Sequence, residues 1–297
     1  MLPQLTKRAD SSLEIVIELL WPDIASTYEN IITKLCEEIE ISGFRKGKAP
    51  RDLAEKQIVN TRIYEETLKQ IVPQAYQDAI KKLEITPIIS PRVELLEASK
   101  GKNWKLKITT CEKPLIDLNN YQAAVQKVYT DKKSQVWIPG KKDEAKDREP
   151  TIGEVLEALY KEVKVTLPSI LVDQETNRLL SQSFDELKRL GLTVEQYLEA
   201  QGKTSESLRS EYREQAVKNL ILEFALEEIA DKEQVSVEQS EVDKVISDAK
   251  TPAEKDTLTK NRYYLSSLLR RQKTLAKLTK PSVIVAKNSP IITSNIA

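Results

Sequence analysis

The chain contains no histidine, and its other chemically specialised residues are few: two cysteines, one methionine and seven glycines among 297 residues. Without an imidazole, a serine–histidine–aspartate triad, a histidine proton shuttle and a histidine metal ligand are all excluded. The two cysteines, Cys36 and Cys111, lack the close spacing of a metal site, and no glycine-rich run matches a phosphate-binding loop. The carboxylates lie among lysines on amphipathic segments, as on a solvated helix face. We therefore expect no enzyme, no metal and no cofactor.

Net charge is absent too, because 46 lysines and arginines balance 46 aspartates and glutamates. Bulk electrostatics therefore predict no nucleic-acid partner, and any attraction to RNA requires a local patch. Aromatic residues make up 5% of the chain and charged residues 31%, a composition typical of a helix-rich soluble protein. The length suits two domains, or one domain with a long extension.

Long apolar runs are also missing. Residues 1–10 contain no apolar signal region and no run is long enough to span a bilayer, so we expect a cytoplasmic protein without a membrane partner. Cys36 lies on the apolar face of a predicted helix and Cys111 in a predicted strand, which indicates core thiols in a reducing compartment. The sequence leaves a disulfide between them open.

One short basic segment stands out between two predicted helices. It consists of Gly43, Phe44, Arg45, Lys46, Gly47, Lys48, Ala49 and Pro50. Glycines allow backbone angles that other residues resist, and proline fixes the exit, so this loop is expected to present its side chains outward. An exposed aromatic ring flanked by cations suits docking onto an anionic surface with one apolar pocket. Composition alone fits an ordinary solvated loop equally well.

The N-terminal region has the pattern of an α+β domain. Apolar residues alternate with glutamates from Leu13 to Leu19, as in a half-buried strand, and recur at helical spacing from Ile24 to Ile39. A second helical stripe runs from Ile63 to Leu83, and further strands are predicted around Val93–Leu95 and Trp104–Ile108. Helices segregated from a small antiparallel sheet give an α+β fold.

The rest of the chain divides into a charged linker, a helical region and a tail. Residues 117–150 are predicted to form an extended linker with Trp137 as an anchor against another domain. Residues 151–280 carry helical stripes and helix-capping pairs, and are predicted to be mostly α-helical. The capping pairs are Thr151 with Glu154, Thr193 with Gln196, and Ser236 with Gln239, and Gly191 and Gly202 are predicted helix ends. In the tail, residues 281–297, the run Val283–Val285 fits either an added strand or a mobile segment.

The basic loop resembles the signature of trigger factor, the bacterial chaperone family that binds ribosomes. The run Ile71–Tyr76 and the strand Lys105–Pro114 resemble the same family around that loop. Segments of the C-terminal half resemble it in order and spacing: Val165–Pro168, Tyr197–Leu198, Gly202–Thr204 and Ala216–Ile229. The resemblance implies a ribosome-binding domain at residues 1–116 and a substrate-binding domain with arm-like helices at residues 151–280.

The resemblance also implies a function for the loop. Its ribosome-binding residues are Gly43, Phe44, Arg45, Lys46, Gly47, Lys48 and Pro50. They imply docking on the large ribosomal subunit at the tunnel exit, against a ribosomal protein and nearby rRNA, by an ATP-independent chaperone of nascent polypeptides. Better-known members also contain an FK506-binding-type prolyl isomerase domain. Residues 117–150 are too few and too charged to form one, so the resemblance supports the chaperone role and not the isomerase activity.

Two other functions fit the same residues. The first is an assembly chaperone or holdase that works away from the ribosome as a homodimer. The second is an RNA-binding protein that uses Arg45, Lys46, Lys48 and Arg51, for which binding would fall steeply with salt and depend little on Phe44.

Overall fold

The computed structural model describes residues 3–134 and 150–279, and these residues divide into two compact units. The first unit extends to Pro114 and also takes Leu167–Gln174, while the second begins at Leu115 and resumes at Glu175. The sequence predicts a boundary at residue 116, two residues later. Residues 135–149, including the predicted anchor Trp137, and the tail from residue 280 lie outside the described residues.

The first unit contains an antiparallel sheet with strand order β1-β2-β4-β3. Its strands are β1 (Gln4–Lys7), β2 (Ser12–Leu19), β3 (Arg92–Glu97) and β4 (Trp104–Cys111). In the central pair, Ile15 lies opposite Ile108 and Ile17 opposite Leu106. These side chains are buried, because alternation along two paired strands places their apolar residues on one face. The predicted α+β domain is confirmed.

Three helices cover the apolar face of this sheet or border it. They are α1 (Trp21–Glu38), α2 (Arg51–Gln57) and α3 (Asn60–Leu83). The predicted stripe of α1 is buried at Ile24, Tyr28, Ile31 and Leu35, and Ile32 is fully buried as well. The helices and the sheet thus share one core. Cys36 packs against this core and Cys111 is buried. Both thiols are free, which resolves the disulfide left open by the sequence.

The second unit is predominantly helical. Its elements include a short ribbon of β5 (Ile116–Asp117) and β6 (Lys164–Val165), and the helices α4 (Tyr121–Ser134), α5 (Ile152–Glu162), α6 (Ser169–Arg189), α7 (Val194–Gln201), α8 (Ser205–Lys232), α9 (Gln239–Ser247), α10 (Pro252–Lys260) and α11 (Arg262–Thr279). The first residues of α6 belong to the first unit. The predicted helical C-terminal region is therefore confirmed.

Helix α4 departs from the extended linker predicted for residues 117–150. Tyr121 and Val125 are buried one helical turn apart, so a single face of α4 is apolar and packs against α5. The Tyr121 hydroxyl donates a hydrogen bond of 3.0 Å to a carboxylate oxygen of Glu233, and Lys232 lies 5.3 Å from the Tyr121 ring centre. The charged run that begins at Asp131 outweighed this short apolar face in the sequence.

Two of the three predicted capping pairs are present. Thr151 with Glu154 and Thr193 with Gln196 form reciprocal capping boxes. The pair at Ser236 is wrong, because α9 begins two residues later, with Glu238 as its N-cap and a 2.9 Å bond from the Glu238 backbone nitrogen to Glu241. Of the described helices, none is both long enough and apolar enough to cross a bilayer.

Asp10 binds the first residue of α6 through hydrogen bonds within the first unit. A carboxylate oxygen of Asp10 accepts hydrogen bonds from the backbone nitrogen and hydroxyl of Ser169, at 3.1 and 2.5 Å. The backbone nitrogen and hydroxyl of Ser12 donate to the same carboxylate. Burial alone would raise the pKa of Asp10, but the bonds from Ser169 and Ser12 outweigh it and hold that pKa well below its ordinary value of 3.8.

Asp10→Asn should therefore destabilise the protein by about 1 kcal/mol at pH 7, since it removes a charged acceptor of helix N-terminal donors. Because the pKa of Asp10 is lower in the folded than in the unfolded state, its ionised carboxylate stabilises the fold at a pH above the unfolded-state pKa. This stabilisation is lost progressively as the pH falls below about 4. Urea unfolding of both proteins at pH 7 and pH 3 should show a smaller difference at pH 3. A difference that grows at pH 3 would contradict the assignment.

Candidate functional site

The basic loop occupies the connection between α1 and α2 as two consecutive tight turns. The backbone nitrogen of Phe44 donates to the carbonyl of Ile41 at 3.0 Å, and that of Lys48 donates to the carbonyl of Arg45 at 2.9 Å. Gly43 and Gly47 occupy the third position of these turns with φ values of 88° and 70°. A positive φ at this position favours glycine. Regularly placed glycines therefore give the loop a defined backbone rather than a random one.

Gly47 also brings the loop close to the end of α1. A Cβ atom at residue 47 would lie 3.0 Å from the carbonyl oxygen of Glu37, whereas a Cβ at Gly43 would meet nothing within 4 Å. The loop is thus anchored through main-chain proximity at its second turn. Its first turn extends into open space.

The loop presents its side chains to solvent, as the sequence predicts. Phe44 keeps 44% of its surface exposed. Arg45, Lys46 and Lys48 are exposed, and none of them has an ion-pair partner among the described residues. The surface therefore joins one apolar ring to three uncompensated cations. We use the name docking loop for residues 43–50.

Arg51, next in the chain, has a different role. Its guanidinium pairs with Glu29 of α1, which compensates its charge. Lys100, in the turn between β3 and β4, joins the same group at 2.9 Å from Glu55 and 3.8 Å from Glu29. These pairs attach the start of α2 to α1 and the sheet. Arg51 therefore supports the docking loop rather than adding to its exposed charge.

Sequence reasoning missed this support and the neighbouring apolar surface. Glu29 precedes Arg51 by 22 residues, so no local pattern in the sequence connects them. Leu53 and Val59, on and just after α2, are 46% and 68% exposed. Helical spacing could have identified Leu53, because the neighbouring Ala54 takes the buried side of α2.

The described residues hold no cluster of three or more cysteine, aspartate or glutamate side chains arranged to bind a metal. Cys36, the thiol nearest the docking loop in sequence, packs against the core, and burial raises its pKa. A thiol with a raised pKa is a poor nucleophile at neutral pH. The ring and the cations of the docking loop are groups suited to binding a partner surface.

The two glycines should respond differently to alanine. Gly43→Ala should cost about 1 kcal/mol, since only the positive φ opposes it. Gly47→Ala should cost about 2 kcal/mol or more, because the new methyl group also crowds the Glu37 carbonyl. Chemical denaturation of the two variants gives the comparison directly. Equal destabilisation would mean that the second turn is not anchored on α1.

Comparison with known proteins places the chain in a family. The family model described as bacterial trigger factor protein matches residues 1–136, and that of the bacterial trigger factor C-terminus matches residues 138–280. The two ranges are separated by one residue.

Curated relatives match a shorter stretch. Trigger factor of Natranaerobius thermophilus is 30% identical over 112 residues, which cover 38% of this chain and 25% of the relative. Trigger factor of Lactiplantibacillus plantarum is 29% identical over 116 residues, 39% of this chain and 26% of the relative. The matched part thus spans about a quarter of the length of these curated relatives.

The fold is similar to that of a solved structure described as "Promiscuous Substrate Recognition in Folding and Assembly Activities of the Trigger Factor Chaperone". The TM-score is 0.56 at 14% identity, with 93% of this chain and 99% of that chain covered. This likeness concerns the fold. Since the two family models together match nearly the whole sequence, the chain belongs to the trigger factor family.

Proposed function

We propose that the chain is an ATP-independent chaperone that docks at the ribosomal tunnel exit and shields nascent polypeptides. The observation that supports this most directly is the docking loop, where Phe44 is half-exposed beside Arg45, Lys46 and Lys48. A ring needs an apolar pocket, which a ribosomal protein offers, and uncompensated cations need anionic partners, which nearby rRNA offers. The family resemblance implies both partners at the tunnel exit.

The second unit supports the shielding role. Large apolar side chains are exposed at the turns and ends of its helices, including Leu190 at 74%, Leu192 at 45%, Tyr263 at 91% and Tyr264 at 62%. Exposed apolar groups among charged ones favour weak contacts with many unfolded sequences. Such contacts need no nucleotide.

We also propose that the chain acts without isomerase activity, in the cytoplasm. The two family matches are separated only at residue 137, which leaves no room between them for another domain. The first described helix after the N-terminal unit, α4, packs within the second unit instead of starting a further sheet.

The test is co-sedimentation with salt-washed bacterial ribosomes. Burial of the exposed part of Phe44, 44% of its surface, is worth roughly 2 kcal/mol, so Phe44→Ala should weaken binding about thirtyfold. The triple variant Phe44→Ala, Arg45→Ala and Lys46→Ala should bind at background level. Tyr263→Ala removes an even more exposed aromatic ring, 91% against 44%, from the second unit and should bind ribosomes as wild type does.

Circular dichroism and ATP-free suppression of aggregation keep the outcomes distinct. The triple variant should stay folded and should still suppress aggregation of an unfolded protein. Equal ribosome binding by wild type and the triple variant would overturn the loop assignment. If neither binds and the mass rises with concentration, the ribosome-independent dimeric chaperone is correct.

Salt dependence separates protein docking from RNA binding. Arg45→Ala with Lys46→Ala should reduce the slope of log affinity against log salt concentration by about 2, because each phosphate contact contributes close to 1. Phe44→Ala should lower the affinity and leave this slope unchanged. A Phe44→Ala variant with wild-type affinity, together with a steep salt slope, would identify the chain as an RNA-binding protein.

A further inference from the structure

Val59, in the connection between α2 and α3, is an apolar residue at a position where helices favour a polar one. It is the N-cap of α3, with φ −67° and ψ 127°, and its side chain makes no capping hydrogen bond. Thr151, with a similar backbone at the start of α5, accepts such a bond from the backbone nitrogen of Glu154. Serine, threonine, aspartate and asparagine are favoured at this position for that reason. Val59 therefore lacks a stabilising contact that a threonine of nearly equal size would make.

The packing of the core does not account for this valine. The residue before it, Ile58, is buried, and so is Ile63 at the fourth position of α3. Both belong to the core of the first unit and occupy the positions of a hydrophobic staple, which fixes how a chain enters a helix. Val59 itself keeps 68% of its surface exposed, the largest fraction among the large apolar side chains described in the first unit.

Val59 and the docking loop lie at the same end of α1. The backbone nitrogen of Arg62 donates a 3.0 Å hydrogen bond to the Val59 carbonyl, and the Arg62 guanidinium pairs with Glu38 at 3.5 Å. Gly47 of the docking loop approaches the carbonyl of the neighbouring Glu37. The corner between α2 and α3 and the second turn of the docking loop thus both adjoin the last turn of α1, which ends at Glu38.

The charge around Val59 differs from the charge of the docking loop. The cation beside it, Arg62, is paired with Glu38, whereas the three cations of residues 45–48 have no ion-pair partner among the described residues. An apolar side chain in a charge-balanced setting gains little from a phosphate backbone, but it gains from burial against an apolar protein surface. The partner that fits Val59 is therefore protein rather than RNA.

We propose that Val59 is a second apolar contact of the docking site, and that it meets a protein surface of the ribosome beside the one that takes Phe44. This inference rests on the proposed ribosome docking and adds a specificity-determining residue to it. An apolar side chain at this corner strengthens binding at the expense of a helix cap. Such a conflict between stability and binding is expected at a residue that serves a partner surface.

Val59→Thr separates binding from stability, because it removes apolar surface and supplies a helix cap. In co-sedimentation with ribosomes it should weaken binding about fivefold, since burial of the exposed part of a valine accounts for a factor of this order. The slope of log affinity against log salt concentration should stay unchanged, because no phosphate contact is lost. The midpoint of urea unfolding should equal or exceed that of wild type.

Two matched controls accompany this variant. Val59→Ile keeps the apolar surface and should bind ribosomes as wild type does. Ile152→Thr changes another β-branched side chain at the start of a helix, the first residue of α5, which is 56% exposed in the second unit, and it should leave ribosome binding unchanged. Photo-crosslinking of the Val59→benzoylphenylalanine variant should give an adduct with a ribosomal protein that survives ribonuclease.

The outcomes distinguish this contact from the docking itself. If Val59→Thr binds as wild type does while Phe44→Ala is weakened, the Val59 contact is overturned and the proposed docking is not. Equal binding by wild type and the triple variant of residues 44–46 overturns both. A lower urea midpoint together with lost binding would show that Val59 acts only in the fold, and an adduct destroyed by ribonuclease would assign the contact to rRNA. Either of these results overturns the inference.

Discussion

Trp104 is fully buried where β4 meets α1 and α3, and its ring lies edge-on to Tyr28 and Tyr64 at centre distances of 5.9 and 5.2 Å. Its indole nitrogen donates a hydrogen bond to the Ser99 carbonyl at 3.1 Å. The side chain therefore combines apolar packing of its ring with a hydrogen bond for its polar group. This contact fixes α1 on the sheet. Because the docking loop leaves the end of α1, its direction depends on this packing, and a rigid base allows a small loop to bind specifically.

Charge pairing explains how a chain of zero net charge presents a cationic surface. Around the docking loop, Arg51 and Lys100 are matched by Glu29 and Glu55. On the exposed face of the sheet, Lys107 pairs with Glu94 at 2.5 Å. Such exposed pairs contribute little stability individually, but they remove those cations from the long-range field. Arg45, Lys46 and Lys48 have no such partner among the described residues, so their charge remains available to attract an anionic surface.

The sequence predicts local patterns well here and long-range pairing poorly. Alternation from Leu13 to Leu19 is sufficient for β2, and the glycines and proline of residues 43–50 are sufficient for an outward loop. The Arg51–Glu29 pair joins residues 22 positions apart, and the two side chains meet only because α2 packs against α1. Helix α4 was hidden for another reason. Its apolar residues are few, and the charged run that begins at Asp131 dominates the composition of residues 117–150.

If the loop docks as proposed, its small size sets the strength and lifetime of the binding. One half-exposed ring supplies about 2 kcal/mol, and exposed cations mainly raise the association rate and lose strength in salt. Neither effect gives a long-lived complex, because slow dissociation requires a larger buried apolar area at the interface. On the proposed docking, a tether of this kind would bind and leave repeatedly. That suits a chaperone that must meet each emerging chain and then release it, since a permanent anchor would hold the second unit over a product that has already left.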